Sequence, residues 1–115
     1  MNFAVIGAGA VGMLTASLLK EAGCGVQLIT RRPEQAKQIN AKGIDLDGKI
    51  QFIDAYTEWD RIPANAFILV AVKYGHLPEV IKKLKSNCLD NPVVFMQNGM
   101  MHLDSIPNLP QKNIA

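Results

Sequence analysis

The apolar positions of the chain fall into short continuous runs that alternate with longer stretches of helical spacing. Asn2 to Ile6 (NFAVI) is apolar, partly β-branched and ends at glycine, which predicts a strand buried on both faces. From Ala10 the apolar positions Val11, Leu14, Leu18 and Leu19 recur at the spacing of one helix face. Ala16 lets that helix lie close to its neighbour, and Gly23 supplies the stop. Val26 to Thr30 (VQLIT) predicts a second strand. Pro33, suited to a first helical position, then opens a polar helix, PEQAKQINAK, closed by Gly43.

GIDLDGKIQFIDA alternates apolar and polar residues around Asp47-Gly48, a hairpin signal that predicts a small antiparallel insertion. Ala66 to Val72 (AFILVAV) is a continuous apolar run fit for a central parallel strand. A helix follows from about Leu77 to Leu84, with Leu77, Val80, Ile81 and Leu84 on one face. Pro92 to Met96 (PVVFM) predicts the last strand, which runs into the glycine turn QNGM and a segment broken by Pro107 and Pro110. Strands alternating with helices at this spacing predict an α/β fold with an open, mostly parallel, doubly wound sheet, and 115 residues make one domain, 1–115.

Composition narrows the function classes. With 49% apolar and 19% charged residues and a net charge of +2, the chain has the make-up of a globular protein rather than a disordered one. The basic excess is too small, and too little interleaved with aromatic residues, to predict a nucleic-acid partner. Residues 4–19 carry no charge and so invite a membrane reading. No positive residue precedes them, and Gly7, Gly9, Gly12, Thr15 and Ser17 interrupt them, so no membrane segment is expected. Cys24 and Cys88 form neither a ligand pair nor a disulfide framework, and His76 and His102 stand alone. No metal site is expected, and a reducing, cytoplasmic setting is.

Gly7, Gly9 and Gly12 spell GxGxxG directly after a predicted strand and at the opening of a predicted helix, the context that a dinucleotide fingerprint requires. Gly7 permits the tight turn, Gly9 lets the backbone approach a diphosphate, and Gly12 lets helix and strand pack closely. The loop Gly7, Ala8, Gly9 and the first amides of the helix, Ala10, Val11 and Gly12, would then hold the anion at the positive end of the helix dipole. The alternative is a tight turn that merely uses glycine. About 20 residues further on, where NAD- and FAD-binding proteins place Asp or Glu for the ribose hydroxyls, stand Thr30, Arg31 and Arg32. Two guanidiniums there suit a 2'-phosphate and predict NADP(H), unless the pair only decorates a solvated loop.

Lys73 closes one predicted strand and Asn98 follows another. C-terminal strand ends line the ligand crevice of an open parallel sheet, so both are candidates for the nicotinamide half of the cofactor or for what lies against it. Solvation of Lys73 and a turn role for Asn98 are the alternatives. Tyr74, His76 and His102 are weaker candidates, and Met96, Met100 and Met101 read as packing. No nucleophile–base set or carboxylate pair emerges, so no catalytic residue is assigned within this chain.

Taken in order, GAGAVG, TRR, VAVKYGH and FMQNGM resemble the nucleotide-binding, Rossmann-type domain of the ketopantoate reductases, and the resemblance covers the whole chain. It implies NADPH-dependent reduction of 2-dehydropantoate, a small 2-keto acid, to pantoate on the way to pantothenate and coenzyme A. It further implies that Gly7 to Gly12 hold the diphosphate, that Arg31 holds the 2'-phosphate, and that Lys73 and Asn98 lie at the nicotinamide and substrate edge, with Asn98 facing both ligands. The family usually shows NGMG where this chain has Asn98-Gly99-Met100-Met101, so Met101 alters that loop.

Family members also carry a second, helical domain that supplies a catalytic lysine and the substrate-gripping glutamate and asparagines, positions with no counterpart here. Asn113 to Ala115 (NIA) resembles the opening of a further strand, so the expectation is a truncated domain, inactive by itself, with apolar surface that favours homo-oligomers. The competing function class is a non-catalytic, dinucleotide-sensing regulatory module. Such modules commonly keep an acidic residue where Arg31 stands.

Overall fold

The computed structural model describes residues 1–72, 74–87 and 90–96. Five strands, β1 (Asn2–Ile6), β2 (Gly25–Ile29), β5 (Asp54–Tyr56), β6 (Phe67–Val70) and β7 (Val93–Phe95), form one sheet in the order β5-β2-β1-β6-β7, with every neighbouring pair parallel. Three helices, α1 (Ala10–Glu21), α2 (Pro33–Lys42) and α3 (Leu77–Asn87), connect them, and β3 (Ile44–Leu46) and β4 (Lys49–Gln51) make a separate antiparallel hairpin. The chain winds outward from β1 through β2 to β5, then returns to β6 on the other side of β1. The winding direction therefore reverses between β1 and β6, and a crevice opens beyond their C-terminal ends. This is the doubly wound α/β architecture that the alternation of runs predicts.

The apolar strands are buried on both faces, which is why they read as continuous runs rather than alternating ones. Ala4 and Ile6 of β1 join Ile29, Ile68, Val70, Trp59 and the buried face of α3 in one core. Val5, next to them, joins Leu28, Ala16, Ala36 and Ile39 in the other, under α1 and α2. The α3 face is the expected one, with Leu77, Val80, Ile81 and Leu84 buried, although the helix runs on to Asn87. The observed β6 and β7 are shorter than the apolar runs: Ala66, Ala71 and Val72 lie outside β6, and Pro92 and Met96 outside β7, although Ala71 still donates its N–H to Ile6 O at 2.8 Å.

The expected packing face of α1 is corrected. Val11, Leu14 and Leu18 are 53%, 42% and 51% exposed, and the helix buries Gly12, Ala16 and Ser17, with Met13 and Leu19 partly buried. The reason is distance. A Cβ at Gly12 would fall on the carbonyl oxygen of Gly7, so only small side chains fit on the face that meets the loop and sheet. The larger residues at helical spacing are turned outward. α1 stops at Glu21, and Gly23, in the left-handed region at φ 89°, follows two residues later and donates its N–H to Lys20 O at 3.0 Å.

The predicted hairpin is present but shorter than its alternating sequence. Asp47 and Gly48 both take positive φ, 52° and 83°, as a two-residue primed turn requires, and the Gly48 N–H donates to Asp45 Oδ1 at 2.9 Å. Its far arm ends at Gln51. Asp54 and Ala55, which the alternation assigns to the insertion, instead belong to β5, which pairs parallel with β2 at the edge of the main sheet. The Asn40 side chain fixes it there, donating to Ala55 O at 2.7 Å and accepting the Ala55 N–H at 2.9 Å. A short 3-10 turn, Trp59–Arg61, not foreseen from the sequence, then drops Trp59 into the core beneath α3. The QNGM turn and the segment with Pro107 and Pro110 lie outside the described residues.

Candidate functional site: a crevice at the ends of β1, β2 and β6

At the end of β1 the chain turns at Gly7, where φ is 108° and the N–H donates to Ile29 O at 2.9 Å. A Cβ there would stand 2.7 Å from Ala71 O and 2.9 Å from Val72 Cγ1, so both the backbone angle and the closeness of the β6 exit demand glycine. Gly9 is different. Its φ of −76° and ψ of −173° suit any residue, and a Cβ there would meet no protein atom within 4 Å. Nothing in the fold requires a bare backbone at Gly9, yet that backbone lines the crevice. Space left open at this point suits a ligand lying against the loop.

Gly9 is also the N-cap of α1 and makes no side-chain cap bond. The first helical bond runs from Met13 N–H to Gly9 O at 2.9 Å, which leaves the amides of Ala10, Val11 and Gly12 ahead of the ladder. The loop is tied to α2 by Gln35, whose Nε2 donates to Ala8 O at 3.2 Å.

At the end of β2, buried Thr30 donates its N–H to Tyr56 O and its hydroxyl to Arg32 O, each at 2.9 Å, and so bends the chain away from the sheet. Arg31 and Arg32 project from the bend. Arg32 is the extended N-cap of α2, with Pro33 at its first position. Arg31 reaches across to the segment after β6, where its Nη1 lies 3.1 Å from His76 Nε2 and its Nε 4.0 Å from Glu79 Oε2. A guanidinium has only donors, so Nε2 is the acceptor in this contact.

Two spaces meet at this bridge. The larger, about 910 Å³, is lined by the glycine loop Gly7, Ala8 and Gly9, by Arg31 and Arg32, by Pro33 to Gln35 and Gln38 of α2, and by Ala71, Val72 and His76. The smaller, about 140 Å³, is lined by apolar Ile6, Ile29, Val72, Val80 and Trp59 together with Thr30, Glu79 and Lys83. Gly7, Arg31, Arg32, Val72 and His76 belong to both.

Of the residues singled out from the sequence, Gly7, Ala8, Gly9, Arg31 and Arg32 stand together on the crevice wall, joined by His76. Ala10, Val11 and Gly12 form the first turn of α1 behind the loop, with Gly12 buried and Val11 exposed. Lys73, Asn98, Met101 and His102 lie outside the described residues. Sequence reasoning missed Gln35, Gln38, Trp59, Glu79 and Lys83. Gln35 and Gln38, three apart at the start of a helix, show at most which face they share, and the other three reach the site only through the tertiary fold. Among the described residues no group of three or more His, Cys, Asp and Glu could hold a metal ion, and no helix is long and apolar enough to cross a membrane.

Chemically, the arrangement offers peptide N–H groups at a helix start, an uncrowded glycine backbone and two guanidiniums around a crevice of ligand size. That donor set fits an elongated anion such as a dinucleotide, with its diphosphate on the loop and further negative charge at the arginines.

The chain is 31% identical to the 2-dehydropantoate 2-reductase of Listeria monocytogenes over 118 residues, covering 97% of this chain and 39% of that protein. A solved PanE/ApbA family ketopantoate reductase from Ralstonia eutropha superposes with a TM-score of 0.83 at 25% identity, over 99% of this chain and 40% of its own. A D-mandelate dehydrogenase solved with NADH superposes at 0.81 and 26% identity, over 99% of this chain and 37% of its own. The chain thus spans about two-fifths of the length of the relatives it matches. The family model described as ketopantoate reductase PanE/ApbA matches residues 3–115, and the chain belongs to that family.

Proposed function

We propose that the chain is the NADP(H)-binding part of a reductase that converts 2-dehydropantoate to pantoate, a step in pantothenate and coenzyme A synthesis. The observation that carries the cofactor choice is the pair Arg31 and Arg32, on the same crevice as the glycine loop and at the strand end where a ribose carboxylate would favour NAD(H). Family membership supports the substrate class.

When bound, the nicotinamide supplies the hydride that turns the 2-keto group into a hydroxyl. The chain's own residues bind and orient. Gly7, Ala8 and Gly9 admit the diphosphate, the amides of Ala10, Val11 and Gly12 donate to it, and Arg31, with Arg32 beside it, receives the 2'-phosphate. Lys73 and Asn98, which follow β6 and β7 in sequence, are assigned to the nicotinamide edge, and Asn98 to the substrate as well. No catalytic acid is assigned here, so turnover by the 115 residues alone is expected to be small. The reading places the protein in the cytoplasm, with its exposed apolar residues on α1 available for association between copies.

The test is a titration of the chain with NADPH and NADH at matched salt, followed by nicotinamide fluorescence. Tighter binding of NADPH, largely lost in Arg31→Glu, is the expected result. Equal affinity for both, or equal losses in the variant, would overturn the assignment of Arg31 to the 2'-phosphate.

A further inference from the structure

The strand end after β2 has no carboxylate, but the site does. Glu79, in the first turn of α3, brings Oε2 to 4.0 Å from Arg31 Nε across the crevice, and His76 takes Arg31 Nη1 at 3.1 Å from the turn just before that helix. Arg31 therefore has an anionic partner supplied by this chain, at the group assigned to the cofactor's 2'-phosphate. We propose that Glu79 is a specificity-determining residue: it competes with the 2'-phosphate for Arg31 and so limits the preference for NADPH over NADH. The inference rests on the NADP(H) reading above and adds to it a residue that the glycine motif and Arg31 do not predict.

The geometry fits a competitor better than a permanent tie. The Arg31 and Glu79 side chains are 55% and 54% exposed, and at 4.0 Å they form a loose ion pair, which water screens and a better anion displaces. A phosphate offers the guanidinium two parallel hydrogen bonds, a stronger arrangement than one distant carboxylate oxygen. Glu79 then stands beside a group of two negative charges and repels it. Arg32 and Lys83, which line the same small space, offset part of that repulsion, so the balance favours the phosphate without making it overwhelming. A cofactor without a 2'-phosphate meets no such repulsion. Its ribose hydroxyl is a donor that a carboxylate can accept.

The charge is removed with least disturbance in Glu79→Gln, at an exposed position where the side chain keeps its shape. Any loss of helix support from the first turn of α3 falls on both cofactors alike, so the ratio of their affinities isolates the charge at the 2' position. The expected result is NADPH binding tightened by about two- to five-fold, the range for one exposed charge pair, with NADH changed by less than half as much. Glu79→Lys should shift the ratio further in the same direction, and thermal unfolding of each variant shows that it is folded. If the parent chain binds NADPH more tightly than NADH and neither variant moves the ratio, the competition is wrong and the assignment of Arg31 stands. If the parent chain does not prefer NADPH, the cofactor reading fails and this inference fails with it.

Discussion

Arg31 and His76 are 45 residues apart in sequence, and their side chains meet at 3.1 Å over the opening between two spaces. The contact joins the end of β2 to the segment that follows β6, across the point where the sheet's winding reverses. Because it is exposed, it contributes little to stability. A double-mutant cycle with Arg31→Ala and His76→Ala, read by chemical unfolding, should give a coupling within about 0.5 kcal/mol. A coupling above about 1.5 kcal/mol would mark the bridge as a structural tie rather than a pair of ligand-facing groups.

The three glycines of the loop should separate into two classes. Gly12→Ala places a methyl on the Gly7 carbonyl, so α1 must move off the sheet, and a loss of about 2–3 kcal/mol is expected in unfolding experiments. Gly9→Ala has an ordinary backbone angle and open space, so stability should stay within about 0.5 kcal/mol. The same Gly9 variant should lose most of its dinucleotide binding, since its methyl fills the side on which the diphosphate is assigned. Unchanged binding in Gly9→Ala would show that the ligand does not lie there.

The outward turn of α1 predicts opposite tolerances on its two faces. Leu18→Gln, at a half-exposed position, should change stability by no more than about 0.5 kcal/mol. Ala16→Leu, on the buried face, should destabilise by about 1–3 kcal/mol through overpacking against the sheet. The reverse order of costs would restore the face that apolar spacing alone suggests.

Glu58, next to Trp59 but not itself among the residues that line the two spaces, gives a pH signature. Its carboxylate accepts from the Thr57 hydroxyl at 2.9 Å and the Thr57 N–H at 3.0 Å, with Arg61 3.6 Å away, and these hold it below the ordinary carboxylate value. A lowered folded-state value means that the contribution is present above the unfolded carboxylate range and disappears as pH falls through the lowered one. An NMR titration should place the Glu58 midpoint below that of the unfolded chain, and Thr57→Val should raise it. No movement in Thr57→Val would show that the hydroxyl is not the main cause.

Much of the fold was legible because its signals are local. Continuous apolar runs mark strands covered on both sides, Asp47-Gly48 marks a primed turn, and GxGxxG between strand and helix marks the loop at the crevice. The misreadings share one cause, which is that their determinants are tertiary. The face of α1 is set by the closeness of Gly12 to Gly7, and that closeness outranks the spacing of Val11, Leu14 and Leu18. Asp54–Tyr56 is too short to announce a strand, and its place beside β2 depends on a side chain of α2. In the site, Arg31 was visible as a departure from an expected carboxylate, while Glu79 was not. Its role depends on α3 standing opposite β2, a relation that no spacing in the sequence encodes.

The two hydrogen bonds between Asn40 and Ala55 have a consequence beyond placing β5. An outermost strand presents unpaired backbone groups that another chain can extend, a route to sheet-to-sheet aggregation. Here one amide side chain occupies the outward N–H and C=O of the middle residue of a three-residue edge, as the backbone of an additional strand would. The edge thus carries its own plug, and a newcomer strand must displace it before it can pair.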